Sequence, residues 1–350
     1  MATYIPRVFD LALTDKLASK GAVLVEGPKW RGKTTTCEQA ASSVVYLQDP
    51  RTCEQNLRLT QLDSSFFLKG EISKLIDEWR EVTELRDTIR FEVDKRDEFG
   101  QFILTGSSVP PTRARPTTLV SSGLAGCACA RCSCSSRGSP AEGVSLRSLF
   151  DGGPVTIARS GLALEDVAFL TCRGGWPKAV GQPKELALQQ AQDYVDAVVE
   201  SGISRVDGVR RDPERVCMLM RSYARMTASQ GSYETMLRDV AKVGLSFGRT
   251  SFLEYVAALK RLFVMDDLGA WNPNLRAKED VRTSPTWHFV DPSIATAALG
   301  AGPGDLMGDL NTFGLVFESL CISSQSEYDV KICVAFASEA SYDSSRMRGG

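Results

Sequence analysis

The sequence contains one histidine, His288, in 350 residues. That scarcity argues against histidine-dependent triads and multi-histidine metal sites, which need imidazoles from several elements. Net charge is only −2, so no global field of either sign draws the chain to nucleic acid or an anionic membrane. Any DNA contact has to come from a local patch. No stretch of about 18 consecutive apolar residues occurs, and no membrane-spanning helix is expected. Residues 1–10 lack the basic-then-apolar layout of an export signal. The ten cysteines are therefore expected as reduced thiols in a cytoplasmic protein, not as a disulfide framework. Hydrophobic residues at 43% and charged residues at 24% suit a soluble chain of two or three domains with a buried core.

The chemistry is concentrated near the start. Residues 21–26 read GAVLVE, a short apolar run of the kind that forms a strand buried on both faces. It leads into Gly27, Pro28, Lys29, Trp30, Arg31, Gly32, Lys33 and Thr34, which match G-x-x-x-x-G-K-[ST] at every fixed position. The two glycines let successive backbone N–H groups turn inward around phosphate oxygens. A helix over 35–43, starting at Thr35, points its positive end at the same anion. Lys33 is placed to reach the β- and γ-phosphates of ATP, and the Thr34 hydroxyl to ligate Mg²⁺. The eight loop residues together with Thr35 are the expected nucleotide-binding set.

A second strand, 44–47, completes a βαβ unit. Lys74, Leu75 and Ile76 then run into Asp77, Glu78 and Trp79. An acidic pair at the end of a buried strand fits a Walker-B element, with Asp77 holding Mg²⁺ and Glu78 polarising the attacking water. Lys33 and Glu78 are the expected catalytic residues. The run 101–108, QFILTGSS, is an apolar strand ending in hydroxyl residues, so Thr105 and Ser107 are candidates for sensing the γ-phosphate. The order of these pieces predicts an α/β fold, a P-loop NTPase parallel sheet with its ligand at the C-terminal ends of the strands.

The second half reads as mostly helical. Apolar residues recur at helical spacing over 186–200. Asp212 and Pro213 cap a helix to 225, and helices over 233–243 and 250–262 precede a short strand at 263–265. Helix, turn, helix and strand is the order of a winged helix. One reading gives it DNA recognition through Arg249, Lys260 and Arg261. The other has it pack on the nucleotide-binding core and transmit nucleotide state, which the apolar composition of its last helix favours. His288 is expected to be structural, and Asp291 to cap a helix starting at Pro292.

Taken together the motifs resemble a bacterial and archaeal family of AAA-type ATPases with an uncharacterised C-terminal domain. The shared stretches are IPR (5–7), GPKWRGKTT, LIDEW, FEVDKR (91–96), FILTGS, CRGGWP (172–177), ISRVDG (203–208), HFVDPSIATAAL (288–299) and NTFGLVFESL (311–320). The resemblance covers about residues 1–110 and 144–322. It implies an AAA-like ATPase core, a helical region, a winged-helix-like segment and, in full-length members, a nuclease-like fold. ATPases of this kind often act as rings, so a homo-oligomer is among its implications. Members carry an acidic residue before ISR, where this chain has Gly202.

Two segments fall outside that pattern. Residues 111–143 turn abruptly to Ser, Arg, Gly, Ala and Cys, with Cys127, Cys129, Cys132 and Cys134 close together. A metal–thiolate cluster and an unrelated disordered insert are two readings. A shifted reading frame is the third and fits better: two bases downstream, the codons behind 125–132 permit Arg-Val-Arg-Met-Arg-Pro-Met, the stretch the family has here. The tail 323–350 likewise matches nothing, and without the carboxylate–lysine constellation of a nuclease no nuclease activity is assigned. The expected organisation is an ATPase core at 1–110, an aberrant and disordered segment at 111–143, the rest of the core and a helical lid at 144–210, a winged-helix-like domain at 211–322 and an aberrant tail at 323–350. The expected function is an AAA-like ATPase using Mg²⁺ and coupling to an unknown partner. The alternatives are a nucleotide-switched DNA-binding module with little turnover, and an inactive frameshifted product.

Overall fold

The computed structural model describes residues 4, 6–82, 85–107, 124–128, 152–153, 161–242, 247–269 and 284–325. In chain order the first part comprises α1 (Val8–Leu17), β1 (Ala22–Glu26), α2 (Lys33–Ala40), β2 (Ser43–Tyr46), α3 (Cys53–Leu62), β3 (Lys74–Asp77), α4 (Leu85–Arg96), β4 (Phe102–Gly106) and β5 (Leu124–Ala128). The five strands form one parallel sheet in the order β2-β3-β4-β1-β5. Strand residues point alternately to opposite faces, and both faces are covered. Val23, Val25, Leu75 and Ile103 pack on Phe9 and Leu13 of α1 and Cys37 of α2. Leu24, Ile76, Phe102 and Leu104 pack on the other side against Leu85, Ile89 and Val93 of α4. Double coverage is why the strand sequences are continuous apolar runs rather than alternating ones.

Within the segment 111–143, Leu124–Ala128 pairs along the whole of β1, from Ala22 opposite Leu124 to Glu26 opposite Ala128. Strand pairing uses backbone N–H and C=O groups, which any non-proline residue supplies. Cys129, Cys132, Cys134 and the rest of that segment, together with 326–350 of the tail, lie outside the described residues.

The second part contains α5 (Leu164–Arg173) and α6 (Lys184–Ala197), the latter running through a π-turn, Val198–Gly202, into a helical turn, Ile203–Arg205. There follow α7 (Pro213–Arg225), α8 (Tyr233–Lys242), α9 (Arg249–Arg261), α10 (Pro292–Leu299), α11 (Pro303–Gly308) and α12 (Leu310–Gln325). Asp212 caps α7 by accepting from Glu214 N at 3.0 Å, and Asp291 caps α10 by accepting from Ser293 N at 2.9 Å. Both have proline at the first helical position, as the sequence indicates. The strand expected at 263–265 is reduced to a bridge. α9 ends in a Schellman turn, with Val264 N donating to Leu259 O and Phe263 N to Lys260 O, and Phe263 holds the left-handed position (φ 58°) where glycine is usual. Three antiparallel bridges then join Ser229 to Trp287, Met265 to Phe289 and Leu268 to Thr286. An apolar core with Trp176, Tyr223, Phe252, Leu259, Trp287 and Phe289 among its members binds most of these elements, and a smaller cluster of Ala168, Cys172, Leu306 and Phe313 joins α5, α11 and α12.

Candidate nucleotide site

β1 carries the chain into the loop 27–32, and α2 begins at Lys33. Gly32 has φ 72°, and a Cβ there would stand 2.5 Å from Arg7 Nη2, so both backbone freedom and close approach require glycine. Arg7 is buried and its Nη1 donates to Arg31 O at 2.6 Å. Tyr4 donates to Asp10 Oδ1 at 2.6 Å, and its hydroxyl oxygen lies 3.1 Å from Thr36 Oγ1, in position to accept from it. The N-terminal segment thus braces the loop from outside the sheet.

Inside the loop, the buried Lys33 Nζ donates to Gly27 O and Pro28 O, each at 2.9 Å. Thr34 Oγ1 donates to Asp77 Oδ1 at 2.7 Å, and Thr105 Oγ1 reaches the same oxygen at 2.5 Å. The Thr105 hydroxyl also accepts from Glu78 N at 3.1 Å. One carboxylate therefore ties together the helix after the loop, the end of β3 and the end of β4. Thr34 and Asp77 supply hard oxygen donors side by side, a set that fits Mg²⁺. Thr105 works through Asp77, whereas Ser107 stands apart and lines a cleft of about 290 Å³ with Glu78. Glu78 adopts a left-handed backbone, φ 52°, an uncommon conformation for a residue with a side chain.

The P-loop forms one rim of that cleft through Lys29 and Trp30, and the helical half forms the opposite wall through Tyr194, Val198, Gly202, Arg205, Val206 and Leu262. Arg80, also on the cleft, is ion-paired with Glu26 at the end of β1. Burial pushes the Glu26 carboxyl upward, with Arg80 opposing. Thr35 is exposed on the first turn of α2, so its hydroxyl does not take part in this construction.

Arg31 takes a different direction from the one its place in the loop suggests. Its side chain is 1% exposed and pairs with the fully buried Asp291 at 2.8 Å. Its guanidinium lies 4.2 Å from the centroid of the Trp176 ring, which in turn packs on Tyr194 at 4.5 Å. Trp30, with φ 64°, meets Tyr194 edge-on at 5.9 Å. Asp291 also accepts from Gly175 N at 3.0 Å, and Trp176 Nε1 donates to Ser293 Oγ at 2.9 Å. A Cβ on Gly174 (φ 69°) would stand 2.3 Å from Asp291 Oδ1, which explains the first glycine of CRGGWP. Three stretches far apart in sequence, GPKWRGKTT, CRGGWP and HFVDPS, thus form one buried junction. Among the nucleotide-binding residues expected from the sequence, Arg31 offers its backbone to the loop and its side chain to this junction. His288 is also internal, with Nδ1 2.9 Å from Ser319 Oγ.

The basic residues expected to face DNA are engaged within the chain. Arg249 pairs with Glu234 at 3.2 Å, Lys260 with Asp267 and Arg261 with Asp207. Asp207 also holds Arg211 at 2.7 Å. Leu253, Glu254 and Ala257 are the exposed positions in the middle of α9.

Comparison with known proteins agrees with the first half of this picture. Residues 19–120 match an AAA domain, in keeping with the α/β P-loop fold of this unit. Residues 164–305 match a domain of unknown function, DUF8612. No curated protein matches the sequence. Among solved structures, a Walker-type ATPase of Pyrococcus abyssi is similar at 11% identity and a TM-score of 0.48, over 83% of this chain and 94% of that one. A Drosophila ORC structure bound to DNA aligns at 14% identity with a TM-score of 0.18, over 78% of this chain and 84% of the other.

Proposed function

We propose that this chain binds Mg²⁺–ATP at the loop 27–34 and hydrolyses it. The observation that carries this is the convergence of Thr34, Thr105 and the backbone of Glu78 on the Asp77 carboxylate, beside a buried Lys33. In that arrangement the loop N–H groups and the start of α2 hold the phosphates. Lys33 exchanges its two loop carbonyls for β- and γ-phosphate oxygens. Bound Mg²⁺ would neutralise phosphate charge between Thr34 and Asp77. Glu78 orients water in the cleft and accepts its proton, and Ser107 donates to the γ-phosphate.

The helical half reads best as a transmitter of nucleotide state. Two consecutive loop residues, Trp30 and Arg31, are gripped by Tyr194, Trp176 and Asp291, so a loop that moves on binding phosphate works against the helical core. The order α7, bridge, α8, α9 and paired extended segments supports a winged-helix-like unit. Internal pairing of Arg249, Lys260 and Arg261 favours packing over DNA recognition as its role. The segments 111–143 and 323–350 remain, in our reading, products of shifted frames. Sequencing the gene tests this, since no alternative open frame over 111–143 would end the idea. Calorimetric titration with ATP tests the site: Asp77→Asn should abolish the gain in affinity that Mg²⁺ confers. Equal affinity with and without Mg²⁺ in the unmutated chain would count against the Asp77 assignment.

A further inference from the structure

The turn after β3 carries two charges of opposite sign onto the cleft. Glu78 and Arg80 both line it, and the start of the turn is fixed where Glu78 N donates to Thr105 Oγ1 at 3.1 Å. The Glu78 residue is half-buried, and its carboxylate forms no hydrogen bond or ion pair among the described residues. An arginine this close is the natural partner of a carboxylate, because its guanidinium can give two parallel hydrogen bonds to the two oxygens. Here it goes elsewhere.

Arg80 instead crosses the end of β4 to pair with Glu26, the last residue of β1. β4 lies between β3 and β1 in the sheet, and Gly106 at its end stands opposite Glu26. A Cβ at Gly106 would be 3.2 Å from Arg80 Cζ and equally close to its Nε, so the missing side chain opens the path. Both partners of the pair are largely buried. Burial works against the Arg80 cation, and the charges of Glu26 and then Glu78 oppose that. Two carboxylates thus act on one guanidinium, and Glu26 holds it.

We propose that Glu26 is a positioning residue for hydrolysis: by holding Arg80 across Gly106 it keeps that cation off Glu78, and the Glu78 carboxylate stays free to orient water and accept its proton. This role rests on the ATPase reading above and brings in two residues that reading does not use. Glu26 touches neither nucleotide nor water in it and acts through Arg80. A carboxylate captured by a guanidinium has its lone pairs occupied and its basicity lowered, and both oppose proton acceptance. Loss of the Glu26 charge therefore harms turnover only while Arg80 and Glu78 are both present. That double condition separates this role from damage to the fold.

ATP affinity and turnover are to be measured in Glu26→Gln, in Glu26→Gln with Arg80→Gln, and in Glu26→Gln with Glu78→Gln. Glu26→Gln should bind ATP within about threefold of the parent but turn over roughly 10²-fold more slowly, the scale of an impaired general base. Adding Arg80→Gln should bring turnover back to within about fivefold of the parent, since nothing is left to capture the base. With Glu78→Gln already present, Glu26→Gln should cost less than about twofold more, because the group it protects is gone. Four results would overturn the role of Glu26 and leave the ATPase reading standing: parental turnover in Glu26→Gln, loss of its ATP affinity, no recovery on adding Arg80→Gln, or a full further loss in the Glu78→Gln background. Turnover of Glu78→Gln at the parental rate would end both.

Discussion

Arg31 and Asp291, 260 residues apart, form a fully buried ion pair at 2.8 Å. One belongs to the phosphate-binding loop and the other caps α10 in the helical half. A pair removed from water in this way contributes little when intact, but removing one partner leaves the other charge buried and uncompensated. Asp291→Ala should therefore destabilise the chain by about 3–5 kcal/mol, read as a shift in urea midpoint. Arg31→Met with Asp291→Leu should cost less than the sum of the two single changes. Strict additivity would mean that the pair does not couple the two halves.

The same junction shows what the sequence leaves hidden. The loop motif, the apolar strands and the caps at Asp212 and Asp291 are legible because each depends on neighbours within a few residues. Arg31 occupies an unconstrained position of the motif, and nothing local distinguishes a phosphate-facing arginine from one buried against Trp176. The glycine pair Gly174 and Gly175 was the available signal, since two glycines before a tryptophan imply close approach by another element. β5 was missed because composition speaks for side chains while strand pairing uses the backbone. The π-turn at Val198–Gly202 overlaps the end of the helical spacing at 186–200, and that spacing suits a regular helix as well.

Asp207 gives a pH-dependent prediction. Hydrogen bonding from Arg211 holds its carboxyl well below the usual carboxylate range, and Arg261 adds to the effect. A depressed folded-state value contributes stability above the unfolded value of about 3.9, and that stability is lost as pH falls below it. Asp207→Asn should lose about 2–3 kcal/mol near neutral pH, the scale of hydrogen bonds to charged groups. The gap between variant and parent should narrow below about pH 4. A gap that is constant from pH 7 to pH 3 would show that the carboxylate charge does not matter.

Cysteine reactivity offers an independent check on packing. Burial pushes the Cys172 thiol up to about 11, so at pH 8 only about one molecule in a thousand carries the thiolate. Cys217 is exposed and Cys53 half-exposed. Of Cys53, Cys172 and Cys217, a thiol reagent at pH 8 should label Cys217 first and Cys172 only on unfolding, as followed by peptide mass. Fast labelling of Cys172 in the folded chain would contradict the packing around α5.

The helix α9 makes a prediction about DNA. With Arg249, Lys260 and Arg261 paired internally, few counterions remain for them to displace from a duplex. Replacing all three by alanine should leave DNA affinity, measured by fluorescence anisotropy at low salt, unchanged within about twofold. A large loss, with a shallower salt dependence, would restore DNA recognition to this helix.

The most direct test of the account is ATP binding and hydrolysis by the purified chain beside Lys33→Ala and Glu78→Gln. The arrangement around Asp77 predicts that Lys33→Ala loses binding, while Glu78→Gln still binds ATP but loses about 10²–10⁴-fold in turnover, the scale of a missing general base. Glu78→Gln turning over at the parental rate, or Lys33→Ala binding ATP as tightly as the parent, would contradict it.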